Sequence, residues 1–501
     1  MLKSEAEVPN ITWARTYSTT FRYRFVLGVP RLVTIDPSTI NYVLSHPELF
    51  PKPDHVKSDL ISLTGGGLLA ADGETHHRQR RLLNACFNSS AVRGVVPIFY
   101  DKAYELRQKL LDLLDGACAE TPSFTPPQAI DLVEGARKID MVKYLSRTTL
   151  DIIGLAGFGY DFKQLQEADT ELSRPMKSLY AIILRPSILS ILQTRFPLLR
   201  SLPTARMRAV KKNLKASRRV GERIVREKKA EALLAGGLFE KGNTGKDLIS
   251  LLIQANMDDS LPAEQRLSDR EVVDQITTFM AAGNDTTSIA LTWSLRQLVL
   301  SPTIQDRLRE EFSTIIDDRP DLETLNALPY LEAFIREVLR HSPPAPSVFR
   351  SAREDHIIPL GMPILGRDGN MIHHIKVPKG TSIQFSIATI NTSPIFYGAD
   401  AADFNPDRFL DSPKKRKRSE VPGVWGGSMV FFSGPHHCIG YRFALAEIKT
   451  ILFVLLKNFE FAELPSKPVI ERKAARVMRP RVVGEEKYGP QLPLLVKALG
   501  V

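Results

Sequence analysis

The ten residues Phe431-Phe-Ser-Gly-Pro-His-His-Cys-Ile-Gly440 constrain this chain more than any other stretch. Glycine and proline bend the backbone around Cys438, and an apolar helical pattern begins directly after it. A cysteine at a helix N-terminus is a place to make a thiolate, because backbone N–H groups and the helix dipole favour the anion. A thiolate with no redox partner is most useful as a metal ligand. The lone cysteine in a glycine-bounded loop argues for haem iron rather than zinc, which takes a fuller set of protein ligands.

The chain has 501 residues, 43% hydrophobic and 25% charged, enough apolar material for a large core. Its three cysteines, Cys86, Cys118 and Cys438, make no disulfide framework, which points to a reducing compartment. The net charge of +11 suggests an acidic partner. No nucleic-acid motif occurs, and aromatic residues do not interleave with the basic ones, so nucleic acid is set aside. The basic run Lys414–Arg418 reads as a solvated insertion loop rather than a nuclear localisation signal. The longest apolar runs, such as Ile451–Leu456, fall far short of the ~20 residues that span a bilayer, and the N-terminus has no signal-peptide core.

Periodicity gives a mainly α chain with a smaller β portion, in one large unit. Residues 21–35 read as a strand pair, and Asp36-Pro37-Ser38 caps a helix to about Ser45. Helical spacing follows over Val95–Leu114, Val142–Leu155, Arg206–Leu234, Lys246–Ala255, Asp269–Leu300 and Ser301–Ile316. Gly236–Asn243 is a glycine-bearing loop, and residues 355–390 have short-strand composition.

Further motifs precede the cysteine loop. Ala282-Gly-Asn-Asp-Thr-Thr287 puts poor helix formers inside a long helical pattern, which suggests either close helix packing or a local opening. In the second case Asp285 and Thr286 offer a proton path. Glu337 and Arg340 are spaced to pair on one helix face, where an exposed pair would contribute little. Arg408 lies in the proline-bent turn Phe404-Asn-Pro-Asp-Arg-Phe409.

In this order and spacing the motifs resemble the cytochrome P-450 superfamily of haem-thiolate monooxygenases, from about Trp13 to the end. The likeness is nearest to the fungal, membrane-associated, reductase-dependent branch. It implies a single catalytic domain, residues 13–501, with 1–12 a remnant ahead of it, and haem b held between the oxygen-activation helix and the cysteine-loop helix. Cys438 would be the axial iron ligand, with Phe431, Gly434 and Gly440 shaping its loop. Asp285 and Thr286 would deliver protons, and Gly283 would leave room for O₂. Glu337, Arg340 and Arg408 would form a buried triad that supports the loop.

The haem carboxylates are where the sequence departs from the pattern. His436 stands where arginine is usual, and His76, Arg80 and Arg350 are the other partners the resemblance offers. Phe432 follows Phe431 where a small or polar residue is commoner. Titratable partners would make haem retention weaken as pH rises through the histidine range; the alternative is that Arg80 and Arg350 suffice.

The resemblance also implies a hydrophobic substrate, O₂, electrons from NADPH through a flavoprotein reductase, a monomer, and the cytosolic face of the endoplasmic reticulum. The chain begins near where the family's membrane anchor and hinge would end, so attachment would be peripheral or the sequence truncated. Apolar residues between Ile182 and Leu199 would roof the pocket or touch lipid, and Lys414–Arg418 would attract the acidic reductase. Leu68-Leu69, Leu184–Leu192, Ile276–Ala281 and Ala345–Val348 are candidate pocket residues. Other haem-thiolate chemistry (peroxide use, isomerisation, dehydration) would not need the intact Asp285-Thr286 pair. A haem carrier has no use for it either, and a zinc cluster of His76-His77 with His436-His437-Cys438 lacks a second cysteine pair.

Overall fold

The computed structural model describes residues 8–25, 28–117, 129–166, 171, 204–234, 247–257, 260, 262–366, 368–410, 420–474 and 476–500. The stretch Ile182–Leu199, the loop Gly236–Asn243, the basic run Lys414–Arg418 and Cys118 lie outside these residues.

The centre of the molecule is the helix Asp269–Leu300. It begins with a capping box, Ser268 and Glu271 each satisfying the other's backbone N–H, and Arg78 fixes Glu271 with a contact of 2.6 Å. From Val272 onward most of its residues are buried, so it is a core helix rather than an amphipathic surface one. The helix Met141–Phe158 packs along it, and Tyr441–Asn458 crosses it while also lying on Ser89–Leu114.

The helix Ser89–Leu114 starts earlier than the pattern from Val95 suggests. Asn88 caps it, accepting from the Ala91 N–H, and Pro97 lies inside it. A proline there forfeits a backbone hydrogen bond. Burial of Val95, Val96, Phe99 and Tyr100 around it keeps the helix continuous.

The strands form small sheets at the edge of the helical mass. β1 (Thr20–Arg24), β2 (Pro30–Thr34), β7 (Ser382–Ser386) and β4 (Ser347–Ser351) make one sheet in the order β1-β2-β7-β4, with β2 and β7 parallel. β5 (His356–Leu365) pairs with β6 (Met371–Val377), as the composition of 355–390 suggests. β3 (Ala136–Asp140), β11 (Pro493–Ala498) and β8 (Phe459–Ala462) form a third sheet, and β9 (Ile470–Ala474) pairs with β10 (Met478–Val482).

Two hydrophobic clusters result. The larger lies among the helices, and the smaller joins the first sheet to Ile40, Phe50, Phe396 and Met429. The cysteine loop sits at their seam: Phe431 packs against the helical cluster, and Phe432 belongs to the other.

Candidate active site

The loop geometry around Cys438 follows from that seam. Phe432 adopts φ +63°, in the left-handed region, and this turn sends adjacent phenylalanines into different cores. Gly434 has φ +69°, and a Cβ there would lie 3.2 Å from Leu44, so glycine is needed on both counts. The Cys438 N–H donates to the Phe431 carbonyl at 2.8 Å, closing the loop, and Gly440 caps the helix Tyr441–Asn458. Unlike Gly434, Gly440 would meet a Cβ only in ordinary contact, with Phe87 at 3.5 Å.

The sulfur is set deep among protein atoms, and burial pushes its thiol upward. The Gly440 N–H and the Arg80 guanidinium oppose that shift by favouring the thiolate. Yet Cys438 has exposed surface. A sulfur that is deeply set and also accessible stands on the wall of an internal space.

Beside that loop lies a group of nitrogen bases and cations. The His76 and His436 rings stack at 3.9 Å, and His76 is buried. Arg350 is also buried, stands over the Phe432 ring at 5.2 Å, and donates to its neighbour's carbonyl at Phe349. No carboxylate among the described residues is within ion-pair distance of it. Lys52 completes the group, with Nζ 2.7 Å from the Ala71 carbonyl, 2.9 Å from Asp72 and 3.4 Å from His436 Nδ1.

Burial lowers Lys52 to about 8 and Arg350 to about 10, with Asp72 opposing in each case. Burial and nearby cations push His76 to about 4 and His436 to about 2. Both rings are therefore neutral at mild pH before any carboxylate is bound beside them. The accessible titrating group is Lys52, which sequence reasoning missed. Its one signal is the stiff segment Pro51-Lys52-Pro53, where the flanking prolines restrict the backbone.

Arg80 is placed differently from the other presumed carboxylate partners. It donates to the His437 carbonyl at 2.6 Å and contacts that ring's Nε2 at 2.6 Å, so it grips the cysteine loop itself.

The helix Asp269–Leu300 runs unbroken through Ala282–Thr287. The polar side chains there bond to nearby groups: Thr286 Oγ1 donates to the Ala282 carbonyl at 2.6 Å, and Thr149 donates to Asn284 Oδ1 at 2.7 Å. Gly283 serves helix packing, since a Cβ would lie 3.1 Å from Ile153 on the helix Met141–Phe158. Of the two readings of this segment, close packing accounts for Gly283 and Asn284. Asp285 stays polar and pairs with Arg479 at 2.7 Å. Two residues on, Thr287 lies near Glu447, a buried carboxyl whose pKa burial raises well above the usual range, with Thr287 opposing the shift.

Glu337 and Arg340 are no surface pair. Both are fully buried, joined by bonds of 2.6 and 2.7 Å. Arg340 also donates to the carbonyls of Asn391, Ala401 and Asp403. Arg408 reaches Glu337 at 3.5 Å and donates to the Tyr397 carbonyl, and Tyr397 Oη donates to the Gly427 carbonyl at 2.6 Å. Through Arg408 and Tyr397 the triad is thus linked to the Gly427 carbonyl, four residues ahead of Phe431.

Of the candidate pocket residues, Leu68 is buried with its N–H on Gln275 Oε1 at 3.0 Å, and Phe279 meets Phe87 edge-on at 5.3 Å. The span Leu184–Leu192 lies outside the described residues.

A cysteine on an internal wall, with buried cations and imidazoles beside it, suits an iron porphyrin bearing carboxylates. The fold and site define a haem-thiolate protein. The cytochrome P450 family pattern matches residues 11–483, and the chain belongs to that family. It is similar to cytochrome P450 monooxygenase 128 of Postia placenta, 37% identical over 97% of this chain and 87% of that protein. Cytochrome P450 monooxygenase 205 of the same fungus is 38% identical over 99% and 89%. A ganoderic acid synthetase of Ganoderma lucidum is 32% identical over 97% and 88%. Among the described residues no helix is long and apolar enough to cross a membrane.

Proposed function

We propose that this cytochrome P450 inserts one oxygen atom from O₂ into a hydrophobic small molecule of fungal secondary metabolism, by hydroxylation or epoxidation. Electrons come from NADPH through a flavoprotein reductase, at the cytosolic face of the endoplasmic reticulum. Residues 13–501 act as one catalytic domain in a monomer. The observation that carries the reading is Cys438, a deeply set yet accessible sulfur with the Gly440 N–H and Arg80 favouring its anion.

Haem, when bound, supplies the iron at which O₂ is activated, and a thiolate ligand favours O–O cleavage. The chain's own residues do the rest. Cys438 ligates, and Arg80 with the Gly440 N–H moderates its donor strength. Arg350, His76, His436 and Lys52 bind and orient the carboxylates. Asp285 and Thr286 hold and pass the proton. The Glu337–Arg340–Arg408 triad keeps the loop in register.

The test is the reduced, carbon-monoxide difference spectrum of the purified protein and of Cys438→Ser. The native protein gives the red-shifted band of thiolate-ligated iron, and the serine variant loses it. A native protein without that band overturns the reading.

A further inference from the structure

The basic excess of this chain is concentrated in one place. Residues 172–221 hold twelve lysines and arginines and no aspartate or glutamate, so against a net charge of +11 the rest of the molecule is close to neutral. The end of this stretch forms the first half of the helix Ala205–Leu234.

Val220, Ile224 and Val225 are buried on one side of that helix, and a Cβ at Gly221 would lie 2.9 Å from Val273 on the helix Asp269–Leu300. The packing face is thereby fixed. On the other side Arg208, Lys211, Lys212, Lys215 and Arg219 are all exposed, a stripe about 16 Å long. The two halves of the helix differ in their partners. Its ion pairs among the described residues begin only at residue 218: Arg218 with Asp274, Arg223 with Glu171, Lys228 with Asp247 and Glu231, and Lys229 with Asp269. No carboxylate among the described residues is in ion-pair reach of the five cations of the stripe.

The stripe works against the helix that carries it. Arg208 and Lys212, Lys211 and Lys215, and Lys215 and Arg219 are like charges four residues apart, which repel. Arg208 also stands in the first turn, where the helix dipole favours anions. The second half of the helix relieves such repulsion with Glu222, Glu227 and Glu231. The first half has no acid of its own, so an external array of anions is what relieves it.

We infer that this stripe docks on the headgroups of anionic phospholipids. A cluster of basic residues on one face of an amphipathic helix is attracted to the negative surface of such a bilayer. The preceding sequence favours a bilayer over an acidic protein. Between residues 172 and 206, six cations alternate with apolar runs such as Ile182-Ile183-Leu184 and Phe196-Pro197-Leu198-Leu199, a composition suited to the boundary of charge and hydrocarbon. The inference rests on the reading of a membrane location, and adds the charge of the lipid and the residues that meet it.

The test sediments the haem-loaded full chain with vesicles of phosphatidylcholine alone, or of phosphatidylcholine mixed with phosphatidylserine, and follows haem absorbance. The native protein is expected to bind the mixed vesicles more tightly, and added salt removes the difference. Replacing Lys211, Lys212 and Lys215 together by Gln weakens that binding about a hundredfold, the factor that ~1 kcal/mol per cation gives. The same three positions changed to Arg stay near the native affinity. The glutamine variant keeps or exceeds the native Tm, because its helix loses like-charge repulsion. Lys414→Gln, Lys415→Gln and Lys417→Gln together leave binding unchanged.

A native protein that binds both vesicles equally, or a Lys211–Lys212–Lys215 glutamine variant that binds as the native protein does, overturns the inference and leaves the membrane location standing. An equal loss in the Lys414–Lys415–Lys417 variant overturns it as well, since net charge alone would then explain binding. A native protein that sediments with neither vesicle removes the membrane location itself, and if it then binds soluble polyglutamate the stripe belongs to an acidic protein.

Discussion

Phe432 and Glu447 each violate an ordinary residue preference, and each violation has a measurable consequence. Phe432 holds a left-handed backbone, which costs a side-chain-bearing residue about 1–2 kcal/mol, yet its ring is buried in the smaller core against Phe385. Burial outweighs strain, since removing a buried phenylalanine typically costs ~3–5 kcal/mol. Phe432→Ala is therefore destabilising by roughly 3 kcal/mol. Phe432→Gly, freed of the strain, is at least as stable as the alanine variant, and thermal inactivation of both proteins ranks them. Glu447 is a carboxyl inside the protein, with Oε1 unpaired among the described residues. Burial lets it keep its proton where the unfolded chain, with a pKa near 4.5, releases it. Folding then binds the extra proton, so this residue costs stability increasingly as pH rises above about 4.5. Glu447→Gln, neutral at every pH, matches or exceeds the native Tm at neutral pH, whereas Glu447→Ala lowers it by opening a void. A glutamine variant that melts far below the native protein would show that the carboxyl is ionised in place.

At the scale of elements, the charge triad makes the segment 391–408 behave as part of the helix Pro329–His341. Glu337 is the anion for Arg340 and shares Arg408 with Asp400, and its Oε1 also accepts from the Asn405 N–H at 2.7 Å. Glu337→Ala leaves the buried Arg340 guanidinium without its anion, a loss of about 3–5 kcal/mol, while Arg408 keeps Asp400. Arg340→Lys fails as well, because one ammonium cannot serve the carboxylate and the carbonyls of Asn391, Ala401 and Asp403 together. Both variants are expected to accumulate as haem-poor protein, read from the carbon-monoxide band per unit of protein. A full band in either would remove the triad from loop support. The spacing of Glu337 and Arg340 makes their pairing legible in the sequence, but not its burial, because backbone carbonyl acceptors carry no residue-type signal. The helix Asp269–Leu300 is legible from its cap and apolar content. What its interior small and polar residues do is not, since Gly283 answers to Ile153 on another helix. Pro97 misleads for a related reason: tertiary burial carries the helix through a residue that local rules place at its start.

Across the whole molecule, the presumed haem-carboxylate site gathers Lys52, Asp72 and His76, Arg350 and His436 from segments distant in sequence. No local pattern announces such a cluster, so the sequence reveals only the members that fall in family motifs, and Lys52 falls in none. Its chemistry sets the pH response of the assembled protein. Without a bound dianion, Lys52 titrates at about 8 instead of the ordinary 10.5, mainly because it is buried. A carboxylate from the haem placed beside it favours the ammonium and raises that value. Binding therefore takes up a proton wherever the free site has lost one, which is above about pH 8. Haem affinity is full below that pH and falls as pH rises through the alkaline range, rather than through the histidine range. His76 and His436 start far lower in the free site, at about 4 and about 2, so any proton they take up on binding falls at lower pH than that of Lys52. Haem transfer to apomyoglobin, followed by absorbance across this range, is expected to accelerate above about pH 8 in the native protein. Lys52→Arg keeps its charge and removes the acceleration, and Lys52→Met transfers haem faster at neutral pH with little further change. Transfer that is flat into the alkaline range, or that accelerates already below neutrality, would mean that Lys52 does not face the haem carboxylates.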